Sequence, residues 1–147
     1  NAMSSFQHRE PGLAGAAMNQ ERAMVSIIPD GHHVDYAAIQ VAKNVLKDRL
    51  FAITDAVTET TEGPYQHYLA GDKYESAGIL SGSALTMNKA VYNLVHHVGI
   101  ELEEALRMCS LYPARLLGID RETGRIRPGY KADIVVLDDQ LNVKEII

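Results

Sequence analysis

Two short apolar runs, Met24-Val25-Ser26-Ile27-Ile28 and Leu50-Phe51-Ala52-Ile53-Thr54, flank a segment of helical periodicity, and this order constrains the fold more than any other feature. Each run is too short for a buried helix. The first stops at Pro29-Asp30-Gly31 and the second at Asp55, so both read as strands buried on two faces. Between them Asp35 is placed to cap a helix in which Ala38, Val41, Ala42, Val45 and Leu46 recur on one face. Strand, helix and strand in that order predict a parallel βαβ unit, whose two strand ends share one rim.

A parallel unit needs more strands, and here length matters. The chain has 147 residues, whereas a complete (β/α)8 barrel needs about 200 or more. Its 46% hydrophobic and 22% charged residues are enough for one ordinary core and its solvated surface. Fourteen Lys and Arg against nineteen Asp and Glu give a net charge of −5, which argues against a nucleic-acid partner. No apolar stretch reaches the roughly 18 residues of a membrane span, and the first residues carry no signal-peptide core. The single cysteine, Cys109, excludes an internal disulfide and a cysteine-based zinc cage, and fits a reducing compartment. A cytoplasmic protein without membrane contact is expected.

Residues 57–79 change character, with Thr, Glu, Gly and Pro punctuation around Gly71-Asp72, and are expected to form a loop carrying a small hairpin. Ser83 is placed to cap a helix presenting Leu85, Ala90, Leu94 and Val98, with Gly99 at its end. A further helix is expected from Glu101, broken at Tyr112-Pro113, with Ala114 to Leu117 as a short helical turn before Gly118. From Gly124 the pattern is all β: a Pro128-Gly129 turn, a strand from Ile134 to Leu137, an Asp138-Asp139 turn, and a strand beginning at Val143.

Several residues suit chemistry. Asp55 follows a buried strand, where active-site groups of parallel α/β proteins collect, and a carboxylate there can take a proton from a metal-bound water and return it to a leaving group. The plain alternative is a turn cap. His33 lies on the same rim after the first strand and could hydrogen-bond a substrate carbonyl as a neutral imidazole; the alternative is a solvated loop histidine. Arg9 offers a planar donor fork for a phosphate, or else pairs with Glu10 or Glu21 on the surface. Leu80-Ser81-Gly82-Ser83 could present N–H groups and hydroxyls to an oxygen-rich ligand, or be an N-cap. His96-His97 suits a helix C-terminus, His8 and His67 lack partners at ligand spacing, and Cys109 reads as a buried structural thiol. No local His-x-His or Glu-x2-His pair offers a metal site.

In combination these segments resemble the N-acetylglucosamine-6-phosphate deacetylases of the amidohydrolase superfamily. The resemblance rests on Asn1-Ala2-Met3, Arg9-Glu10-Pro11-Gly12-Leu13-Ala14-Gly15, Asp30-Gly31-His32-His33-Val34-Asp35, Ile53-Thr54-Asp55-Ala56, Leu80-Ser81-Gly82-Ser83 and Leu111-Tyr112-Pro113-Ala114. It closes on Gly124-x-Ile126-x2-Gly129-x2-Ala132-Asp133-Ile134-Val135, a motif shared widely across the superfamily.

The resemblance implies an α/β fold: the C-terminal part of a (β/α)8 TIM barrel over residues 1–119, then strands of a small β-sandwich domain over 120–147. It implies hydrolysis of N-acetylglucosamine 6-phosphate to glucosamine 6-phosphate and acetate. By position Asp55 matches the catalytic carboxylate and His33 the histidine near the acetamido carbonyl. Arg9, Asn1 and Ala2 match residues holding the sugar phosphate, and Leu80, Ser81 and Gly82 a substrate-contacting stretch. The family's metal ligands, a Glu and two His, belong to earlier strands absent from this chain. A divalent metal, zinc or similar, is therefore expected in the parent enzyme and not in this chain alone, which is expected to be inactive and to self-associate or pair with the N-terminal half. Another amidohydrolase, such as a cyclic amidase or aminohydrolase, and a non-catalytic assembly module stay open as alternatives.

Overall fold

The structure, a computed structural model, describes residues 2–147. The predicted βαβ unit is present. Strand β1 (Val25–Ile27) pairs in parallel with β2 (Leu50–Ala52), in the register Val25 to Leu50 through Ile27 to Ala52, and helix α2 (Tyr36–Leu46) crosses between them. Asp35 caps α2 as its position suggests, its carboxylate accepting from the Ala37 N–H at 2.8 Å. The buried face of α2 keeps Ala42 and Leu46 of the expected stripe and is otherwise rotated from it. Ile39, Ala42 and Leu46 point into the core, while Val41 and Val45 are 58% and 47% exposed. Val41 and Val45 share an apolar stripe with Ala38, and the sheet takes the stripe centred on Ile39 instead.

Before β1 lies α1 (Gly12–Asn19), which the sequence reading left unassigned. Two of its last carbonyls, Met18 O at 3.3 Å and Ala17 O at 3.4 Å, accept from the Arg49 guanidinium, which also donates to Ala23 O beyond the helix at 2.8 Å. A cation that satisfies orphan carbonyls at a helix C-terminus also complements the helix dipole.

Residues 57–79 contain the expected hairpin, built from β3 (Tyr68–Ala70) and β4 (Lys73–Ser76). A third antiparallel strand, β5 (Ile79–Ser83), follows. This strand corrects the reading of Ser83 as a helix cap. The Ser83 N–H donates to Asp55 O at 3.2 Å, its carbonyl accepts from the Val57 N–H at 3.1 Å, and its hydroxyl donates to Thr54 O. Ser83 is thus committed to a parallel bridge that sets the end of β5 beside the continuation of β2. The helix begins later, as α3 (Met87–His96) after Thr86.

Helices α4 (Leu102–Cys109) and α5 (Leu111–Leu117) pack on β2. Tyr112-Pro113, expected to break a helix, falls instead in the first turn of α5. There the missing proline N–H has no intrahelical partner to lose. Gly118 ends α5 at φ +72°. The last strands, β6 (Val135–Leu137) and β7 (Val143–Ile146), form the expected antiparallel pair.

The core lies between the β1–β2 layer and α2 to α5. Ile39, Leu46, Leu50, Leu94 and Met108 are fully buried, and Leu141, from the β6–β7 turn, belongs to the same cluster. Asn88 of α3 donates to Leu141 O at 3.3 Å and fastens that turn to the helix.

Candidate functional site

The C-terminal ends of β1 and β2 open into a cavity of about 540 Å³. Ile27 from β1, Ile28 and Ile53 from just beyond β1 and β2, and Met3 form its apolar wall, and five residues singled out from the sequence join them: Ala2, His33, Asp55, Leu80 and Ser81. They come from four separate segments of the chain. Parallel pairing places the two strand ends on one rim, and the bridge between Ala56 and Ser83 swings β5 to the same side.

Asp55 is exposed and adopts φ +50°, in the left-handed region that Asp tolerates better than most residues. Its backbone carbonyl is held by Ser83. Among the described residues no hydrogen bond engages its carboxylate, so it is not the turn cap of the plain alternative.

His33 is not a solvated loop histidine. Its side chain is buried, and Nδ1 meets Asp30 Oδ2 at 2.6 Å. The other Asp30 oxygen, Oδ1, accepts from the N–H groups of His32 at 2.9 Å and His33 at 2.8 Å. Burial alone would push the Asp30 carboxyl up. The His33 ring and the two backbone donors outweigh it and hold the carboxyl below its usual value. An ionised carboxylate only accepts, so the tautomer assigned from this contact has the proton on Nδ1. Nε2 then accepts when the ring is neutral, and donates to a carbonyl only as imidazolium. One step further out, Asn93 of α3 donates from Nδ2 to Pro29 O at 2.9 Å and pins the start of this loop.

Asp30 is a functional residue that sequence reasoning misses. The signal was present: an Asp three residues before a His, with Gly between, is spaced for one carboxylate to cap a turn and meet the imidazole.

Ser81 is held by His67, whose Nδ1 lies 2.9 Å from Ser81 Oγ, so His67 has the partner that local spacing did not reveal. His32 Nε2 lies 2.8 Å from Asp72 Oδ1 and ties the β3–β4 turn to the loop after β1.

Two expected residues do not join the cavity lining. Gly82 faces Val57 instead: a Cβ built on it would lie 2.5 Å from Val57 Cγ2, so the glycine allows β5 to approach the chain after Asp55. Arg9 is exposed ahead of α1, and it forms no ion pair with Glu10 or Glu21 among the described residues. Asn1 lies outside the described residues.

The remaining candidates are structural. His96 packs at a tilt against Tyr92 with ring centroids 4.3 Å apart, and His97 stacks on Tyr36 at 4.9 Å. Burial pushes the Cys109 thiol up to about 12, which removes it as a nucleophile at neutral pH. No three His, Cys, Asp or Glu gather as a metal-ligand set among the described residues. No helix among them is long and apolar enough to cross a membrane.

Residues 15–147 match the model of the amidohydrolase family. The chain is 38% identical, over 99% of its length, to a putative N-acetylgalactosamine-6-phosphate deacetylase of Escherichia coli K12, covering 92% of that relative. It is equally similar to the N-acetylgalactosamine-6-phosphate deacetylase of Escherichia coli O157:H7, of which it covers 41%. The crystal structure of N-acetylglucosamine-6-phosphate deacetylase from Pasteurella multocida superposes with a TM-score of 0.94 at 35% identity, over all of this chain and 41% of that one. The chain thus spans about two fifths of the length of two of these three proteins. The α/β fold expected from the sequence, a portion of a barrel with strands of a small β domain, is borne out.

Proposed function

Because this chain belongs to the amidohydrolase family, we propose that it forms the closing part of a deacetylase acting on an N-acetylhexosamine 6-phosphate, with N-acetylglucosamine 6-phosphate as the expected substrate. One observation carries this reading: Asp55, His33, Ala2, Leu80 and Ser81, from four distant segments, line one cavity at the parallel strand ends. Residues 1–119 are assigned to the barrel and 120–147 to the small β-sandwich.

In the proposed reaction Asp55 takes a proton from the water that attacks the acetyl carbonyl carbon. As the C–N bond breaks, the same carboxyl returns that proton to the departing amine, leaving a free amino sugar phosphate and acetate. The unengaged carboxylate of Asp55 suits both steps. His33, with its proton on Nδ1, orients the acetamido group by accepting from its N–H at Nε2, in place of the carbonyl contact expected from the sequence. Leu80 and Ser81 bound the sugar, with Ser81 offering a hydroxyl steadied by His67. The phosphate positions of Asn1, Ala2 and Arg9, and the ligand contact of Gly82, are supported by the family resemblance; only Ala2 among them lines the cavity.

The residues here do not fit a complete metal site. Asp55 brings one carboxylate, and His33 has Nδ1 committed to Asp30. A divalent cation such as zinc is assigned to the parent enzyme's other strands. A homo-oligomer, or assembly with those strands, in the cytoplasm completes the proposal.

The test is acetate release by the complete enzyme, with Asp55→Asn expected to lower the rate by about 100-fold or more. Release by this chain alone with added zinc would sink the expected inactivity. Equal turnover of the unphosphorylated sugar would sink the phosphate requirement. The galacto epimer is the second reading, favoured by 38% identity to two relatives named for it, and faster turnover of that epimer would select it.

A further inference from the structure

Asp30 divides its two oxygens between separate tasks. Oδ1 accepts from two consecutive backbone N–H groups and shapes the turn after β1, while among the described residues Oδ2 meets only the His33 ring, at 2.6 Å. The carboxylate is buried, with 3% of its side chain exposed beside an imidazole at 8%. Burying an ionised group is costly unless it is fully partnered. A turn that needed only its two N–H groups capped would be served by the neutral oxygen of Asn or Ser. The charge finds its use on the ring. The peptide preceding Asp30 is fixed as well, because Asn93 holds Pro29 O from α3.

We infer that Asp30 is a positioning residue for the proposed deacetylation: it keeps the proton of neutral His33 on Nδ1 and thereby presents Nε2 to the cavity. The inference rests on the reading of His33 as a substrate contact, which it deepens. The arrangement parallels the general rule that a carboxylate on one imidazole nitrogen sets what the other can do. Other charged groups nearby have different partners. Asp72 is tied to His32 across the hairpin turn, and Asp55 lines the same cavity with its carboxylate unengaged among the described residues. Tyr36 is kept neutral at physiological pH, since burial and then the charges of Asp30 and Asp72 push its hydroxyl above its usual range.

The discriminating variant is Asp30→Asn. Its amide oxygen can still accept from the His32 and His33 N–H groups, which keeps the turn, and its NH2 then faces Nδ1. A donor facing Nδ1 forces the ring proton to Nε2. Long-range 1H–15N spectra of the full chain, with histidine labelled and the rings neutral, report which nitrogen of His33 is protonated. The expected result is Nδ1–H in the wild type and Nε2–H in Asp30→Asn. With it should come a fall of about 10- to 100-fold in kcat/KM of the complete enzyme for N-acetylglucosamine 6-phosphate. A wild-type ring protonated on Nε2 overturns the inference without any substitution, so it stays testable even if the variant fails to fold. An unchanged tautomer in Asp30→Asn overturns it as well, reducing Asp30 to a turn residue. A switched tautomer with unchanged kcat/KM overturns the positioning role. Absence of deacetylation by the wild-type complete enzyme would instead refute the proposed function, while the wild-type spectrum still decides where the ring proton sits.

Discussion

Gly82→Ala separates packing from ligand contact at the one site residue whose geometry points to packing. The added Cβ would lie 2.5 Å from Val57 Cγ2, 2.8 Å from Cγ1 and 3.2 Å from Val57 Cβ. The shortest of these is about 1 Å inside ordinary van der Waals contact. Val57 cannot turn away easily, because both methyl groups face the new carbon and its own N–H is bonded to Ser83 O. Overpacking of this kind costs about 1–3 kcal/mol. Gly82 is not in the left-handed region, so alanine adds no backbone strain and recovers about 0.4–1 kcal/mol from the unfolded chain. The net expectation is a loss of about 1–2 kcal/mol. Val57→Ala removes both clashing methyl groups, so the pair should be coupled by about 1 kcal/mol or more in a double-mutant cycle. Urea unfolding of the four proteins gives that coupling. Additive effects, or a Gly82→Ala protein as stable as the parent, would refute the packing argument and return Gly82 to the ligand role that the resemblance implies.

Arg49→Ala strands the α1 carbonyls of Ala17 and Met18 along with Ala23 O, and is expected to cost about 1–2 kcal/mol in denaturant unfolding, with faster amide exchange in α1 than elsewhere. Acid should weaken the fold. Burial pushes the Glu104 carboxyl up, but bonds from Lys43, Tyr112 and Arg107 outweigh it and hold it low, and Asp30 is likewise low. Carboxyls depressed in the folded state stabilise it fully above their unfolded values and lose that contribution as pH falls through the folded ones. The urea midpoint should therefore drop between about pH 5 and about pH 2, and less steeply in Glu104→Gln; identical slopes in the two proteins would contradict this. Cys109 should resist a thiol reagent in the folded protein at pH 8 and react on unfolding, since burial pushes its thiol up to about 12.

What could be read from the sequence was largely local. Asp35 capping α2, the hairpin around Gly71-Asp72, and the Asp138 turn before β7 depend on residues a few positions apart, and each formed as expected. The shared rim of Asp55 and His33 followed from one further step, since parallel strands put their ends on the same side. Errors arose where the deciding partner is distant in sequence. Ser83 looks like a cap until Thr54 and Val57, more than 20 residues earlier, claim its hydroxyl and carbonyl. Val41 and Val45 satisfy a helical stripe as well as Ile39 does, and only the position of the sheet selects between the two faces. Gly82 bears a family match, yet the contact that explains it is with Val57.

Leu141 carries a consequence for how the molecule comes apart. It sits at φ +63° in the β6–β7 turn, a conformation that costs a branched residue about 1 kcal/mol or more, yet it reaches the core shared by α2, α3 and β2. Releasing the C-terminal hairpin would uncover that core, so opening the hairpin and opening the barrel portion are not separate events. In native-state exchange the amides of β6 and β7 should follow those of α3 as one cooperative unit. The boundary proposed near residue 119 is then expected to leave no mark on unfolding, with both parts lost in a single transition.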